Sequence, residues 1–148
     1  MANLTFNIAL GRVAALADLP AAHDALIAVP ITASGIANDA TMRDYATLAD
    51  LLAGGSTEQT TMGRATLTGV TVAVDNANDR VDVDCDDITW AGATGAPIAA
   101  IVICYVPDTT GGTDADVIPL TKHDFTITPD GSDVTATITD FFRATSAA

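Results

Sequence analysis

Carboxylates stand at every second position of one predicted strand, and carboxylate oxygens are the ligands that Ca²⁺ prefers. Asp82, Asp84 and Asp86 alternate with apolar residues, so the three side chains would line one strand face. An EF-hand loop starting at Asp75 is excluded, because its sixth position is Arg80 rather than glycine. We interpret the acidic positions as a solvated strand face that discourages edge aggregation. A cation site and a basic partner are the alternatives.

A second acidic group lies in a predicted loop over residues 108–116. Asp108, Asp114 and Asp116 occur there together with two glycines. The group could bind a cation, but an exposed surface loop explains the same residues without a ligand. We interpret it as a surface loop.

Lys122, His123 and Asp124 bring a base and a carboxylate together. Nucleophilic catalysis would need a serine or cysteine presented to the histidine, and the chain has no G-x-S-x-G motif. His123 and Asp124 are adjacent on a predicted strand, so they should point to opposite faces. His23 is interpreted as a surface residue. With two histidines, two cysteines and no zinc-binding spacing, we predict no metal, no cofactor, no catalytic residues and no enzymatic activity.

The element that should hold these residues in place is the stretch 70–106. Apolar residues alternate with polar ones on both sides of the polar loop 76–79, which predicts a β-hairpin. Residues 98–106 are apolar at nearly every position, as in a strand covered on both faces. We take these three strands as the centre of the core, and we expect Cys85 and Cys104 to be free buried thiols.

The remaining elements are short. One helix is predicted over 39–53, starting at Asp39 or Thr41, and one or two helical turns are predicted over 12–19. Pro30 lies within a predicted strand and indicates an edge position or a bulge. Further strands are predicted at residues 3–10, 25–31, 64–69, 117–120, 125–128 and 134–138.

This pattern predicts a mainly β protein, a β-sandwich or jelly-roll-like domain with one or two short helices. Threonine is abundant, whereas glutamate and lysine occur once each, which favours strands over helices. We predict a single domain over 1–148. Its N-terminal strand or arm covers 1–11, its helix 39–53 and its main β core 64–142.

The formal net charge of −13 argues against binding to nucleic acid or to an anionic membrane. It favours solubility or a basic partner surface. No run of 18 apolar residues and no signal-peptide pattern occur, so we expect a chain made in the cytosol. The few arginines should pair with carboxylates inside the fold or across a subunit interface, namely Arg43, Arg64, Arg80 and Arg143.

Several segments along nearly the whole chain resemble a group of small tailed-bacteriophage virion proteins, described as head decoration, head fibre or minor structural proteins. The chain is shorter than that group between Arg12 and Ala25. The matching segments are N-L-T-F-N-I-A-L-G-R-V at 3–13, A-T-M-R-D-Y-A-T-L-A-D-L-L-A-G at 40–54, T-L-T-G-V-T-V-A-V-D at 66–75, N-D-R-V-D-V-D at 78–84, D-I-T-W-A-G-A-T-G at 87–95, C-Y-V-P-D-T-T-G-G-T-D-A-D-V-I-P-L-T-K-H-D-F at 104–125, T-P-D-G-S-D-V-T-A at 128–136 and F-F-R-A at 141–144.

The resemblance implies a virion protein made in the bacterial host cytoplasm, most simply a decoration or cement protein of the head. Its partners would be the major capsid protein and copies of itself, with a trimer as the expected oligomer. Residues 3–10 could add a strand to a neighbour's sheet. The candidate interaction residues are Leu4, Phe6, Ile8, Arg12, Arg64 and Arg143.

Two other functions remain open at this point. A tail, collar or fibre-attachment component would also be a β-rich virion protein, but it would be present in few copies. A host-surface or carbohydrate-binding module would need exposed aromatic side chains. The obvious candidates are Tyr45, Trp90 and Tyr105, and we expect at least two of them to be in the core.

Overall fold

The computed structural model describes residues 2–146, and within that range the fold is mainly β and sandwich-like, without a closed barrel. The predicted fold class is confirmed. The ten strands are β1 (Leu4–Thr5), β2 (Ala25–Thr32), β3 (Ala65–Thr66), β4 (Thr71–Asp75), β5 (Arg80–Asp84), β6 (Ile88–Trp90), β7 (Ile98–Val106), β8 (Ile118–Ile127), β9 (Val134–Ala136) and β10 (Phe142–Thr145). The helices are a 3-10 turn (Asn7–Ala9), α1 (Val13–Ala17), α2 (Asp39–Met42) and α3 (Leu48–Ala53).

The largest sheet has the strand order β1-β8-β7-β2-β3, and its central strand β7 is covered on both faces, as predicted. Ile101 and Ile103 pack into one apolar cluster, while Val102 and Cys104 pack into the cluster on the opposite face. The continuous apolar run of β7 is therefore explained by two cores, one on each side of the sheet.

Pro30 lies in β2 at a position where proline is tolerated. Its carbonyl accepts a hydrogen bond from the N–H of Gln59 at 2.9 Å, on the side of β2 away from β7. A residue's nitrogen and carbonyl point to the same side of a strand, so the missing N–H of Pro30 is not needed in the ladder with β7. β2 is an interior strand of the sheet, so the predicted edge position is wrong, whereas the predicted bulge lies close to Pro30, where the register with β7 shifts between Ile31 and Thr32.

The predicted hairpin is present as β4 and β5, but its predicted place at the centre of the core is wrong. It forms a separate three-stranded sheet with the order β10-β5-β4. Val83 is fully buried against α1 and its neighbours, whereas Val74 is 69% exposed. Within residues 2–146, the apolar face of the hairpin is covered at the Val83 end and exposed at the Val74 end.

The helix predicted over 39–53 is wrong as a single element, because it is two short helices, α2 and α3. Asn38 is the N-cap of α2, since its side chain accepts the N–H of Thr41 at 3.0 Å. Thr47 has an extended backbone and accepts the N–H of Asp50 at 3.0 Å, so a second helix begins there. α2 ends at Met42, and the threonine cap starts α3.

Several strand boundaries also differ from the predictions, and the strand predicted over 64–69 is limited to β3. The strand predicted over 3–10 is limited to β1 and is followed by the 3-10 turn, and the two strands predicted on either side of Lys122 are one continuous strand, β8. The β structure also extends beyond the predicted core of 64–142, since β2 is a central strand and β10 pairs with β5.

None of the helices within residues 2–146 has the length and apolar character needed to span a membrane.

Candidate interaction surface

The N-terminal segment, residues 2–12, contains four of the six predicted interaction residues. Leu4 is partly buried in β1, opposite Lys122 at the edge of the five-stranded sheet. The N–H of Phe6 donates to the carbonyl of Leu120 at 3.0 Å, and the Phe6 side chain is fully buried. In this structure the start of the chain is part of its own sheet and core, rather than a free arm.

Several apolar residues that follow Phe6 in the chain are exposed to solvent. Ile8 is 36% exposed and Leu10 is 61% exposed, and Leu19 after α1 is 53% exposed. The Nε and Nη2 atoms of Arg12 donate to the carbonyl of Ile8 at 3.0 and 2.7 Å, which holds this turn in place. Among residues 2–146 four large apolar side chains are exposed, and three of them lie in the stretch 8–19. We call this stretch the apolar N-terminal surface.

The ammonium group of Lys122 is fully buried between two carboxylates. Its Nζ lies 2.9 Å from Asp39 and 2.8 Å from Asp124. The hydrogen bond from Lys122 lowers the pKa of Asp39, whose second oxygen accepts the N–H of Ala2 at 2.7 Å. The N–H of Asp124 in turn donates to the Asn3 side chain at 2.8 Å. These contacts attach the base of the N-terminal segment to β8 and α2.

Arg64, a predicted interaction residue, is held within the chain. Its guanidinium donates to Glu58 at 2.8 and 2.7 Å and to Asp114 at 2.7 and 3.0 Å. The pKa of Arg64 is raised by its hydrogen bonds to Glu58, which have the larger effect, and to Asp114. The hydrogen bond from Arg64 lowers the pKa of Asp114. The Arg64 side chain is still 31% exposed. Its role in an intermolecular contact stays a prediction.

Arg143, the last predicted interaction residue, belongs to a charge ladder on one face of the three-stranded sheet. Its Nε lies 2.6 Å from Asp82, and its Nη2 lies 2.5 Å from Asp140. Arg80 donates to the other oxygen of Asp82 at 2.9 Å and lies 3.3 Å from Asp75. The Asp82 side chain is only 16% exposed. The face of β5 that was predicted to be solvated therefore carries ion pairs at Asp82.

The other acidic residues of this region have local partners. Asp84 accepts the N–H of the next residue at 2.8 Å, and Asp86 accepts the hydroxyl of Thr68 at 3.0 Å. Asp87 accepts the N–H of Ile138 at 2.8 Å. In the part of the chain that the structure describes, no group of three or more acidic, histidine or cysteine side chains could hold a metal ion.

The carboxylates of the loop 108–116 shape the loop itself. Asp108 accepts the hydroxyl of Thr110 at 2.7 Å and the N–H groups of Thr110 and Gly111 at 2.8 and 3.1 Å. Asp116 accepts both the N–H and the hydroxyl of Thr113 at 2.9 Å. These hydrogen bonds lower the pKa values of both aspartates. They give the loop the ordinary side-chain turns of an exposed connection.

Two adjoining clefts of about 290 and 240 Å³ lie beside the β8 edge, and both are lined by Asn3, His123, Asp140 and Phe141. Burial lowers the pKa of His123, whose Nε2 lies 2.9 Å from the hydroxyl of Thr121. Thr121 is only 2% exposed, although it lines the first of the two clefts together with His123.

The cysteines and the large aromatic residues lie inside the fold, as predicted. Cys85 and Cys104 are free and buried, and burial raises the pKa of Cys85 to about 12. Trp90 is 6% and Tyr105 is 8% exposed. Tyr45 is half-buried, and its hydroxyl donates to the carbonyl of Gly54 at 2.7 Å.

Sequence reasoning did not single out Leu10, Leu19 or Val74 as surface residues. Leu10 follows the alternation of Leu4, Phe6 and Ile8, which placed it on a buried face. Gly11, with φ of 76°, ends that pattern, and this glycine was the available signal that the chain changes direction.

Comparisons of the chain with protein-family models, with curated proteins and with solved structures found no match.

Proposed function

We propose that this chain is a bacteriophage virion structural protein that decorates the head, binding the major capsid protein on the outer face of the shell and stabilising it. The observation that carries the proposal is the apolar N-terminal surface, formed by Ile8, Leu10 and Leu19. Three of the four large apolar side chains exposed within residues 2–146 lie in the stretch 8–19, and exposed apolar side chains that form a patch mark an interaction site more often than isolated ones do.

The anchoring of this surface supports a binding role. Directly before it, Phe6 is fixed in the core, and the ion pairs of Lys122 hold the start of the chain to β8 and α2. A surface presented on a rigid base loses less conformational entropy when it binds a partner. The resemblance to small phage virion proteins supplies the class of partner.

The charge distribution supports a protein partner rather than nucleic acid. Lys122, Arg64, Arg80 and Arg143 are all paired with carboxylates of the same chain. Arg12 and Arg43 donate to backbone carbonyls, Arg43 to that of Asp39 rather than to a carboxylate. A chain of net charge −13 in which four of the six Lys and Arg side chains are paired in this way is a poor partner for phosphate groups. The burial of Trp90 and Tyr105 counts against the carbohydrate-binding alternative.

The test is binding of the purified chain to mature phage heads that lack it, measured by imaging and by stoichiometry. Saturation at a symmetric lattice position, together with raised thermal resistance of the heads, is expected for a decoration protein. A few copies at the vertex or tail would replace this proposal by the tail or fibre-attachment role.

The surface itself is tested by the double variant Ile8→Ser and Leu10→Ser, which we expect to lose head binding at least tenfold while keeping its unfolding temperature. The matched control is Val74→Ser, an exposed apolar residue outside the stretch 8–19, which should reach the wild-type occupancy. Wild-type binding by the double variant would mean that the contact is made elsewhere.

A further inference from the structure

The direction of each backbone group in the three-stranded sheet follows from its register. The N–H of Ser146 donates to the carbonyl of Asp79 at 2.7 Å, which points residue 79 toward the β10 side. Alternate residues of a strand direct their N–H and C=O groups to opposite sides. The odd-numbered residues of β5 therefore bond to β10, and the even-numbered residues bond to β4.

This alternation leaves two residues of β4 with outward-facing backbone groups. Ala73 lies opposite Asp82, so its N–H and C=O face β5. The N–H and C=O groups of Val72 and Val74 then point away from the sheet, and β4 is its edge strand. No hydrogen bond from another segment of residues 2–146 reaches these groups.

The β4 edge has none of the features by which proteins usually protect an edge strand. It reads T-V-A-V-D, without proline, lysine or a bulge. Its one charge, Asp75, is turned toward Arg80 and accepts the side-chain amide of Asn78 at 2.7 Å. The edge strands of the five-stranded sheet, β1 and β3, are only two residues long. β4 is open and regular, and its one charged side chain is engaged within its own hairpin.

We infer that two copies of this chain pair through β4, antiparallel and about a two-fold axis at Ala73, to form a continuous six-stranded sheet. In this register Val72 of one copy is opposite Val74 of the second copy, and Val74 of the first copy is opposite Val72 of the second. All four outward N–H and C=O groups of each strand are used, which gives four intermolecular hydrogen bonds. The contact is isologous, as in most homodimers.

The side chains fit the same register. Ala73 meets its own copy at a non-hydrogen-bonded position, where strands approach most closely and small side chains are favoured. On the other face, Val74 comes to lie between Val81 of its own chain and Val72 of the second copy. This covers part of the most exposed large apolar side chain in residues 2–146. Asp75 is opposite Thr71, so no like charges face each other.

The opposite edge of the sheet offers a weaker alternative. An equivalent two-fold axis at Ala144 would pair β10 with its copy, but β10 has four residues against the five of β4. Its exposed residues are Arg143, Ala144 and Thr145, so that pairing would cover no large exposed apolar side chain. The pairing through β4 is therefore favoured, and it gives a dimer where the resemblance implies a trimer.

Disulfide trapping distinguishes the two edges with matched variants, Ala73→Cys and Ala144→Cys. Ala73→Cys places an exposed thiol on the proposed two-fold axis, and Ala144→Cys places one on the alternative axis. The native Cys85 and Cys104 are buried. With dilute protein and oxidised glutathione, we expect Ala73→Cys to form a disulfide-linked dimer at least tenfold faster than Ala144→Cys. Cysteines at Ala73 of both copies would have the Cα separation that a disulfide needs.

Sedimentation of the unmodified chain supplies the second measurement. We expect a reversible monomer–dimer equilibrium that shifts toward dimer as salt screens the charge of −13 on each copy. Ala73→Arg should remain folded, since the arginine can pair with Asp82, and should be monomeric at concentrations where the wild type is dimeric. Faster trapping by Ala144→Cys, no selective trapping, or a dimer that persists in Ala73→Arg would each overturn the inference. These measurements need no phage heads, so their result is independent of the proposed function.

Discussion

Lys122 and Asp39 form an ion pair with an Nζ–Oδ1 distance of 2.9 Å, and this pair joins the middle of β8 to the start of α2. The Lys122 side chain is 0% exposed, while that of Asp39 is 21% exposed. A buried ammonium group is stable only when carboxylates compensate its lost hydration. Because Asp39 also binds the N–H of Ala2, the same carboxylate holds the beginning of the chain.

Asp39→Asn should lower the free energy of unfolding by about 2–3 kcal/mol. This is less than the ~3–5 kcal/mol typical of breaking a buried pair, because Asp124 remains beside Lys122. Urea denaturation measures the change. Asp18→Asn, at an exposed aspartate, is the control and should stay within about 0.5 kcal/mol of the wild type. Equal stability of both variants would show that the ion pair contributes little.

Acidification should reduce stability in a first step caused by His123. Burial lowers the pKa of His123 below its ordinary value of 6.5, so between these two values the unfolded chain binds a proton that the folded chain does not. The contribution of His123 to stability is therefore fully present above about pH 6.5. It is lost as the pH falls from there through the pKa of His123 in the folded chain. Denaturation midpoints between pH 7 and 5 should show this slope, and His123→Gln should remove most of it. An unchanged slope in the variant would assign the effect to another group.

A second loss of stability should follow at lower pH. The pKa values of Asp39 and Asp114 are lowered from 3.8, chiefly by hydrogen bonds from Lys122 and Arg64. The contribution of these two carboxylates to stability is present above about pH 3.8. It is lost as the pH falls through their pKa values in the folded chain. Thermal unfolding below pH 4 should decline less steeply in Asp39→Asn than in the wild type. Parallel curves for the two proteins would contradict this assignment.

Arg64 should contribute to the stability of the fold through the geometry of its guanidinium as well as through its charge. Arg64→Ala is expected to lose about 1 kcal/mol of unfolding free energy, and the loss should shrink at high salt because the side chain is partly exposed. Arg64→Lys should recover less than half of it, since lysine cannot bind Glu58 and Asp114 with a planar fork. Full recovery by lysine would mean that charge alone is sufficient.

Neither native cysteine should react in the folded protein. Burial raises the pKa of Cys85 to about 12 and raises that of Cys104 as well, and the thiolate is the reactive form. An alkylating reagent at pH 8 should therefore label both residues only after denaturation. During partial unfolding Cys85, which is 5% exposed, should be labelled before the fully buried Cys104. Rapid labelling of the native protein would contradict the burial of both cysteines.

The elements that could be predicted are those whose pattern is local. The apolar run of β7 and the alternation of β4 and β5 identify these strands from their own residues. The break between α2 and α3 also had a local signal, because Thr47 and Asp50 are spaced as in a helix N-terminal cap.

Other features depend on residues far apart in the chain. The polar residues around Lys122 interrupt the apolar alternation, and a buried lysine is stable within β8 because it pairs with Asp124 and with Asp39, 83 positions away. Strand β10 has little apolar alternation and is held by its pairing with β5. Val74 is exposed although it alternates with its neighbours in the same way as the partly buried Val72, so the pattern of the hairpin alone does not predict its exposure.

The central claim is decoration of a phage head, and occupancy of the shell tests it most directly. Heads lacking the protein should be incubated with increasing amounts of the purified chain and imaged to locate the added density. We predict saturable density at one symmetric lattice position on the outer face, with hundreds of copies per head and loss of that density for the variant carrying Ile8→Ser and Leu10→Ser. Heads that stay bare at saturating protein, or density confined to the vertex or tail, would contradict the account.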